Sequence, residues 1–350
     1  SSEWSDNITY SDELRQSDLI VRPLLNLDSV YPISQFNAVR LAASVGYDKY
    51  LRHDQYDHFV VQPGTELSFD VRIKDLRLNL HERFSYEQDP GRIAVVSGVA
   101  EFGGFYNTAG VSAKWELPNV ALAFGYDYFR FMSSSPRFRY LDRDAHLLVA
   151  RGGLQAHPVA IVGLEVSGGP TEYDKPYLND NLGFALGAFS EWQPGRHIRV
   201  QPRAGYALYT FSGESAVGTP SNFTDYYFGL RMDHDVTDKI SYVVDTGRQI
   251  QPSVYANLLD LWTVSAQATL RLRLVGDASL SSGVFYQNGR EIAGLRNEQF
   301  ERVGINIGIG YRMSDKLTTR IDYRVLIRDT DLADRAYHQN RVTLTLAYRF

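Results

Sequence analysis

The sequence predicts an all-β chain folded as one transmembrane, antiparallel, up-and-down β-barrel of about 18 strands (about 16 also fits), with residues 1–350 as a single domain. Three observations predict it. Apolar and polar residues alternate through segment after segment, and a strand sends successive side chains to opposite faces. Short turn signals recur on one side of the pattern and longer polar segments on the other, the asymmetry of outer-membrane barrels. Aromatics make up 13 % of the chain, with Tyr (23) outnumbering Phe (18), as suits rings placed where apolar and wet regions meet.

The last fourteen residues show the alternation most clearly. Val342, Leu344, Leu346, Tyr348 and Phe350 share one parity; Arg341, Thr343, Thr345, Ala347 and Arg349 share the other. Turn signals fall at 73–75, 117–119, 156–158, 193–196, 236–239, 275–277 and 313–316. Longer polar segments fall at 51–58, 88–101, 133–144, 212–225, 292–299 and 329–337.

In chain order, the first strand is weak: 4–10, with Trp4, Ile8 and Tyr10 on one parity. The second, 19–28, turns Val21, Leu25 and Leu27 outward; Pro23 is awkward there because it removes a ladder donor. The third, 36–47, sets Val39, Leu41 and Val45 against Arg40, Ser44 and Gly46. The fourth sets Val61, Leu67, Phe69 and Val71 against Gln62, Glu66, Ser68 and Asp70. The fifth alternates Leu76, Leu78 and Leu80 with Arg77, Asn79 and His81, and its parity then puts Glu82 against lipid. That position is costly near the midplane, so a bulge or an early strand end is expected at Glu82. The sixth and seventh turn Val111, Trp115, Leu122, Phe124 and Tyr126 outward and Lys114, Glu116 and Asp127 inward. The next three (145–156, 160–167, 182–192) carry small residues on both faces. Strands at 198–211, 226–236, 240–249, 262–274, 278–287, 303–313 and 317–328 precede the terminal one.

A soluble β-sandwich accommodates so many long two-faced strands poorly, because open sheets leave edges to manage. No run of about twenty apolar residues marks a transmembrane helix. Cysteine is absent, which excludes disulfides and thiolate metal sites. The net charge of −5 and pI of about 5.9 carry no nucleic-acid signature. No secretion signal is visible at Ser1, and the chain reads as already processed. Eight histidines form no metal spacing. Alternation sends His234 away from Asp233 and Asp235, and no nucleophile-elbow motif is present. No enzyme activity and no cofactor is expected.

A barrel this wide holds water by default. Its inward parity carries glycines and a basic strip late in the chain: Arg271, Arg273, Arg302, Arg312, Arg320, Arg324, Arg341 and Arg349. The inward acids are Glu66, Asp70, Glu116, Glu165, Asp233 and Asp322, mostly on earlier strands. Two readings stay open: a transverse field that selects solutes, or arginines that pair with lumen acids and stiffen the wall. Tyr209, Tyr227 and Phe285 point inward and either offer stacking faces to sugar rings or fill wall space.

The residues Asp6-Asn7-Ile8, then 46–50, 76–80 and 83–86 ahead of Asp89-Pro90, with Gly125–Tyr128 further on, give the chain a resemblance. It resembles the β-barrel porin family that includes the EpsL-like and Wzp-like outer-membrane proteins of exopolysaccharide operons. The resemblance implies passage of a polysaccharide substrate, a setting of outer-membrane lipids, and a periplasmic polysaccharide-export protein as partner. The basic strip is similar in kind to that of the alginate exporter. The helical-repeat domain that precedes the barrel in cellulose exporters is not seen, so a periplasmic part would be another chain.

The leading expectation is therefore a passive export pore for an anionic exopolysaccharide. The alternatives are a diffusion porin for small solutes, and a plugged barrel that anchors other proteins. A long inward-folded loop would favour the porin, and 88–101 is the candidate. An unobstructed lumen would favour export. Replacing Arg271, Arg273, Arg320 and Arg324 together by Ser is expected to lower the anion-to-cation permeability ratio in planar bilayers. An unchanged ratio would assign those side chains a structural role.

Overall fold

The computed structural model describes residues 1–213, 215–218, 220–272 and 277–350. Its wall begins with β1 (Ser2–Ser5), β2 (Asp18–Val21), β3 (Leu24–Pro32), β4 (Ala38–Tyr50), β5 (His58–Val61), β6 (Glu66–Ile73) and β7 (Leu76–Glu87). It continues through β8 (Gly104–Glu116), β9 (Val120–Ser133), β10 (Arg143–His157), β11 (Ala160–Tyr173), β12 (Asp180–Trp192) and β13 (Ile198–Ser212). The rest is β14 (Phe223–Thr237), β15 (Ile240–Pro252), β16 (Ala256–Leu272), β17 (Asp277–Gly294), β18 (Gln299–Arg312), β19 (Leu317–Thr330) and β20 (Tyr337–Tyr348).

Each segment pairs antiparallel with its neighbours, and β1 joins both β2 and β20, so the sheet closes on itself. Two pairs of segments are single strands interrupted at a proline. β2 and β3 part at Pro23, β5 and β6 part at Pro63, and all four lie against β4. Counted as wall positions, the barrel therefore has eighteen strands. The break at Pro23 aims its carbonyl at β4, where a Cβ on residue 46 would sit 2.5 Å from that oxygen. Gly46 is needed for that close approach.

The short turns fall where the sequence places them, except that 273–276 lie outside the described residues. The opposite end carries the long connections, including 6–17, whose first residues the sequence pattern assigns to a strand, and 174–179. The outer face is an apolar band: Leu122, Phe124, Leu164, Leu186, Val264, Ile305, Ile321 and Leu344 are all exposed on it. Tyr206, Tyr226 and Tyr286 are exposed on the same face. In water such a surface would be untenable. In lipid it is the required one, because closure satisfies the backbone groups that hydrocarbon cannot.

Three expectations need correction. β7 runs through Glu82 with neither a bulge nor an early end. Glu82 does point outward, but it lies level with Ala109, Tyr128 and His146 in the ladder. This is the edge of the apolar band, where a charge on the lipid face costs least, and Asn107 Nδ2 donates to Glu82 Oε1 at 3.0 Å. The first strand stops at Ser5. Ile8 and Tyr10 then turn into the barrel mouth, Ile8 against Ile20 and Tyr50, Tyr10 against Leu326 and Tyr337. Finally, β16, β17 and β18 begin or end up to seven residues beyond their alternating cores. An eighteen-residue strand such as β17 far exceeds the roughly ten residues that cross a bilayer.

Leu186 and Ala185, at the centre of β12, face lipid and lumen respectively. Leu186→Arg is expected to destabilise the barrel by about 2–4 kcal/mol, and Ala185→Arg by much less. Denaturant-dependent refolding into vesicles measures both, and the reverse order would invert the assignment of faces.

Candidate functional site: the lumen and its inward loop

A ring of eighteen strands is on the order of 35 Å across, so wall side chains cannot fill it. The filling comes from loops. Residues 88–103, between β7 and β8, fold into the lumen. Val95 and Val96 are fully buried in a cluster with Phe102, Phe131, Phe138, Leu141, Leu178, Val254, Leu259 and Phe300. These side chains come from β9, β16, β18 and three other connections, so one apolar cluster joins distant parts of the wall. Burial disfavours ionisation here: the Tyr140 and Tyr255 phenols are pushed up, and so is the Glu101 carboxyl.

The polar edge of the same loop is held by arginines of β18, β19 and β20. Arg302 Nη2 donates to the Gly91 carbonyl at 2.5 Å. Arg328 Nη1 donates to Ser97 Oγ at 3.3 Å, while its Nη2 donates to the buried Glu298 at 2.7 Å. Arg341 lies 3.3 Å from Asp89 and 3.4 Å from Glu3. The Gly98 amide donates to the Tyr10 carbonyl at 2.9 Å, tying the inward loop to the segment after β1.

The predicted basic strip is thus divided. Its upper members, Arg302 and Arg341, are occupied by the loop. Below them Arg320 pairs with Asp322 at 2.6 Å and donates to Ser281 at 2.7 Å. Arg312 pairs with Asp277 at 3.1 Å on the short-turn rim. Arg324 is half-buried and makes no ion pair among the described residues. Arg271 is placed in β16 opposite Ser279, Arg273 lies outside the described residues, and Arg349 is exposed beyond the end of β20.

All six inward acids have arginine partners: Glu66 with Arg83 (2.6 Å), Asp70 with Arg40 (2.7 Å), Glu116 with Arg77 (2.9 Å), Glu165 with Arg151 (3.4 Å), Asp233 with Arg231 (2.8 Å), and Asp322 as above. The acidic arc is therefore neutralised in place, and the pairing alternative describes it better than a bare field. Arg203 on β13 remains exposed with no ion pair among the described residues.

The inward aromatics lie along the wall. Tyr209 packs over Gly183 and its hydroxyl donates to the Ile250 carbonyl at 3.0 Å. Tyr227 lies over Gly187 and donates to Glu165 at 3.2 Å. Phe285 covers Gly304, where a Cβ would fall 2.1 Å from the ring. These rings fill grooves left by glycine, and the hydroxyls of Tyr209 and Tyr227 are already committed. Beside Tyr209 and Tyr227 lies a cavity of about 1080 Å³, bordered also by Arg83, Arg151, Arg203, Arg231, Glu165 and Asp245.

Sequence reasoning missed a clasp at the upper rim. β14 pairs with β15 only from Phe228 downward. Above that the two strands part, and the buried Arg248 fills the fork. It donates to Asp260 at 2.8 and 2.9 Å, to Asp225 at 2.5 Å and to the Tyr226 carbonyl at 3.0 Å. Its parity assigns Arg248 to lipid, and only the parting of the strands explains its burial. Arg328 had a signal, since it continues the parity of Arg320 and Arg324.

No protein-family description matches the chain, and no curated protein matches it. Solved barrels do. Pseudomonas aeruginosa OccK2 (OpdF), in complex with glucuronate, is similar with a TM-score of 0.53 at 12 % identity, over 100 % of this chain and 96 % of that one. Acinetobacter baumannii OccAB3 gives 0.53 at 10 %, over 100 % and 97 %. The Pseudomonas aeruginosa outer membrane protein OpdK gives 0.52 at 12 %, over 99 % and 96 %, and was also solved with vanillate. At such identity the likeness is one of fold: a closed, antiparallel, eighteen-strand β-barrel, whose apolar band is consistent with the bacterial outer membrane in which those porins sit. It lends no support to the EpsL-like and Wzp-like family, to a polysaccharide substrate or to a periplasmic export partner.

Excising residues 92–100 and bridging the gap with two glycines is expected to raise single-channel conductance by a factor of about two or more. Unaltered conductance would show that the loop is not the obstruction.

Proposed function

We propose that the chain is a passive outer-membrane channel for small polar solutes, with a preference for anions. The observation that carries this reading is the inward loop. A lumen crossed by residues 88–103 and by the apolar cluster around Val95 and Val96 leaves room for a small molecule, not for a polymer strand in transit. The preference for anions rests on Arg203 and Arg324, which have no ion pair among the described residues; each of the six predicted inward acids has an arginine, and Asp245 is the one unpaired acid named on the cavity border. In a wet passage, unpaired cations on the wall raise the local concentration of anions. Glucuronate and vanillate, held by two barrels of the same fold, are small carboxylates. Export of an exopolysaccharide would need the loop to leave the lumen altogether. The cluster that ties distant strands together favours one other reading, a plugged barrel.

Swelling of proteoliposomes in glucuronate, glucose and a dextran separates the three. Glucuronate is expected to enter faster than glucose, with dextran excluded. Entry of dextran would favour export, and no entry of any solute would favour the plug.

A further inference from the structure

We propose that the Asp89 carboxylate is a tethered stand-in for the anionic group of a solute: it occupies an anion site formed by Tyr10 and Arg341, beside the turn that Arg302 holds at Gly91, and a passing carboxylate displaces it. The proposal rests on the small-anion reading above.

Asp89 sits at the start of the inward loop, two residues past the end of β7, where it precedes a single helical turn through Pro90. Its carboxylate accepts from the Tyr10 hydroxyl at 2.5 Å and from the Gly91 amide at 2.9 Å. Arg341 reaches it only at 3.3 and 3.4 Å. Charge-assisted pairs close to about 2.7–2.9 Å when nothing opposes them, and the Arg83, Arg40 and Arg77 pairs do so. Arg341 therefore holds Asp89 less tightly than its chemistry permits, and its Nε has no acceptor.

Arg302 has a larger deficit. It is 4 % exposed, yet its acceptors are neutral: the Gly91 carbonyl at 2.5 Å and Gln287 Oε1 at 3.5 Å. Its Nε is also unpartnered. A buried guanidinium with no carboxylate in contact among the described residues is costly, and the nearby charge of Asp89 offsets part of that cost. Space is available, since a cavity of about 60 Å³ adjoins Asp89, Tyr10 and Arg341, enough for a carboxylate or a few waters. The other charges bordering it are spent. Arg22 is paired with Asp48, Arg92 with Glu87 at 2.6 Å, and Glu3 shares Arg341.

The test uses the full chain in planar bilayers, with sodium glucuronate as probe and glucose as the uncharged control. Asp89→Asn keeps the shape and removes the charge. It is expected to raise the open fraction severalfold without solute. Glucuronate, but not glucose, is expected to raise the open fraction of the unaltered chain and to leave that of D89N unchanged. Equal open fractions for both chains, or an equal glucuronate response in both, would overturn the proposal. If D89N does not show the heat-modifiable migration of a folded barrel, Tyr10→Phe serves instead. It removes the hydroxyl donor and keeps the ring, with the same expectations and the same overturning results. Should the unaltered chain still prefer glucuronate to glucose in swelling assays while D89N behaves like it, this inference fails and the channel reading stands. Should neither solute enter, both fail.

Discussion

The structure depends on one requirement: inside hydrocarbon, each backbone N–H and C=O must find its partner in the wall. Antiparallel pairing around a closed ring meets it, and the short β1 completes that ring through four pairs to β2 and four to β20. Closure then dictates the rest. Alternate residues must face lipid, hence the apolar band from Leu122 to Leu344. The others face an interior too wide to be packed from the wall, hence glycines, arginines and inward loops.

The interior answers that width in two ways. In the lower and middle lumen, charges pair along the wall, as Glu66 does with Arg83 and Asp233 with Arg231. Pairing stiffens the lining and cancels much of its field, leaving Arg203, Arg324 and Asp245 without an ion pair among the described residues. At the upper end the loop supplies both an apolar plug and the polar groups that occupy Arg302, Arg328 and Arg341. The same residue type therefore does two jobs on one face of three neighbouring strands.

Much of the wall was legible in the sequence. Where one face meets lipid and the other meets water, period two is strict, as from Val342 to Tyr348 or from Val264 to Leu270. Turn residues such as Lys74-Asp75 and Ser314-Asp315 mark the rim because they tolerate tight backbone geometry. The inward loop was legible as a long polar segment. Legibility ends where loops cover the wall. From Ala256 to Leu261 both parities are buried, so alternation vanishes and the strand start is hidden. Partner choice was hidden too. Arg320 and Asp322 lie two apart on β19, but Glu66 meets Arg83 only through the stagger between β6 and β7, which parity does not give. Arg248 was unreadable, because parity cannot foresee two neighbours parting.

The contacts that hold the start of the loop also fix an order of assembly. Gly91 and Arg302 are 211 residues apart in the chain, and Asp89 and Arg341 are 252 apart. The arginines they meet belong to strands made near the end of synthesis. Until β18 to β20 are in place, that turn has nothing to grip, and the ring itself is open at its seam. Docking of residues 89–91 therefore belongs with closure of the ring, since both wait on the last strands of the chain.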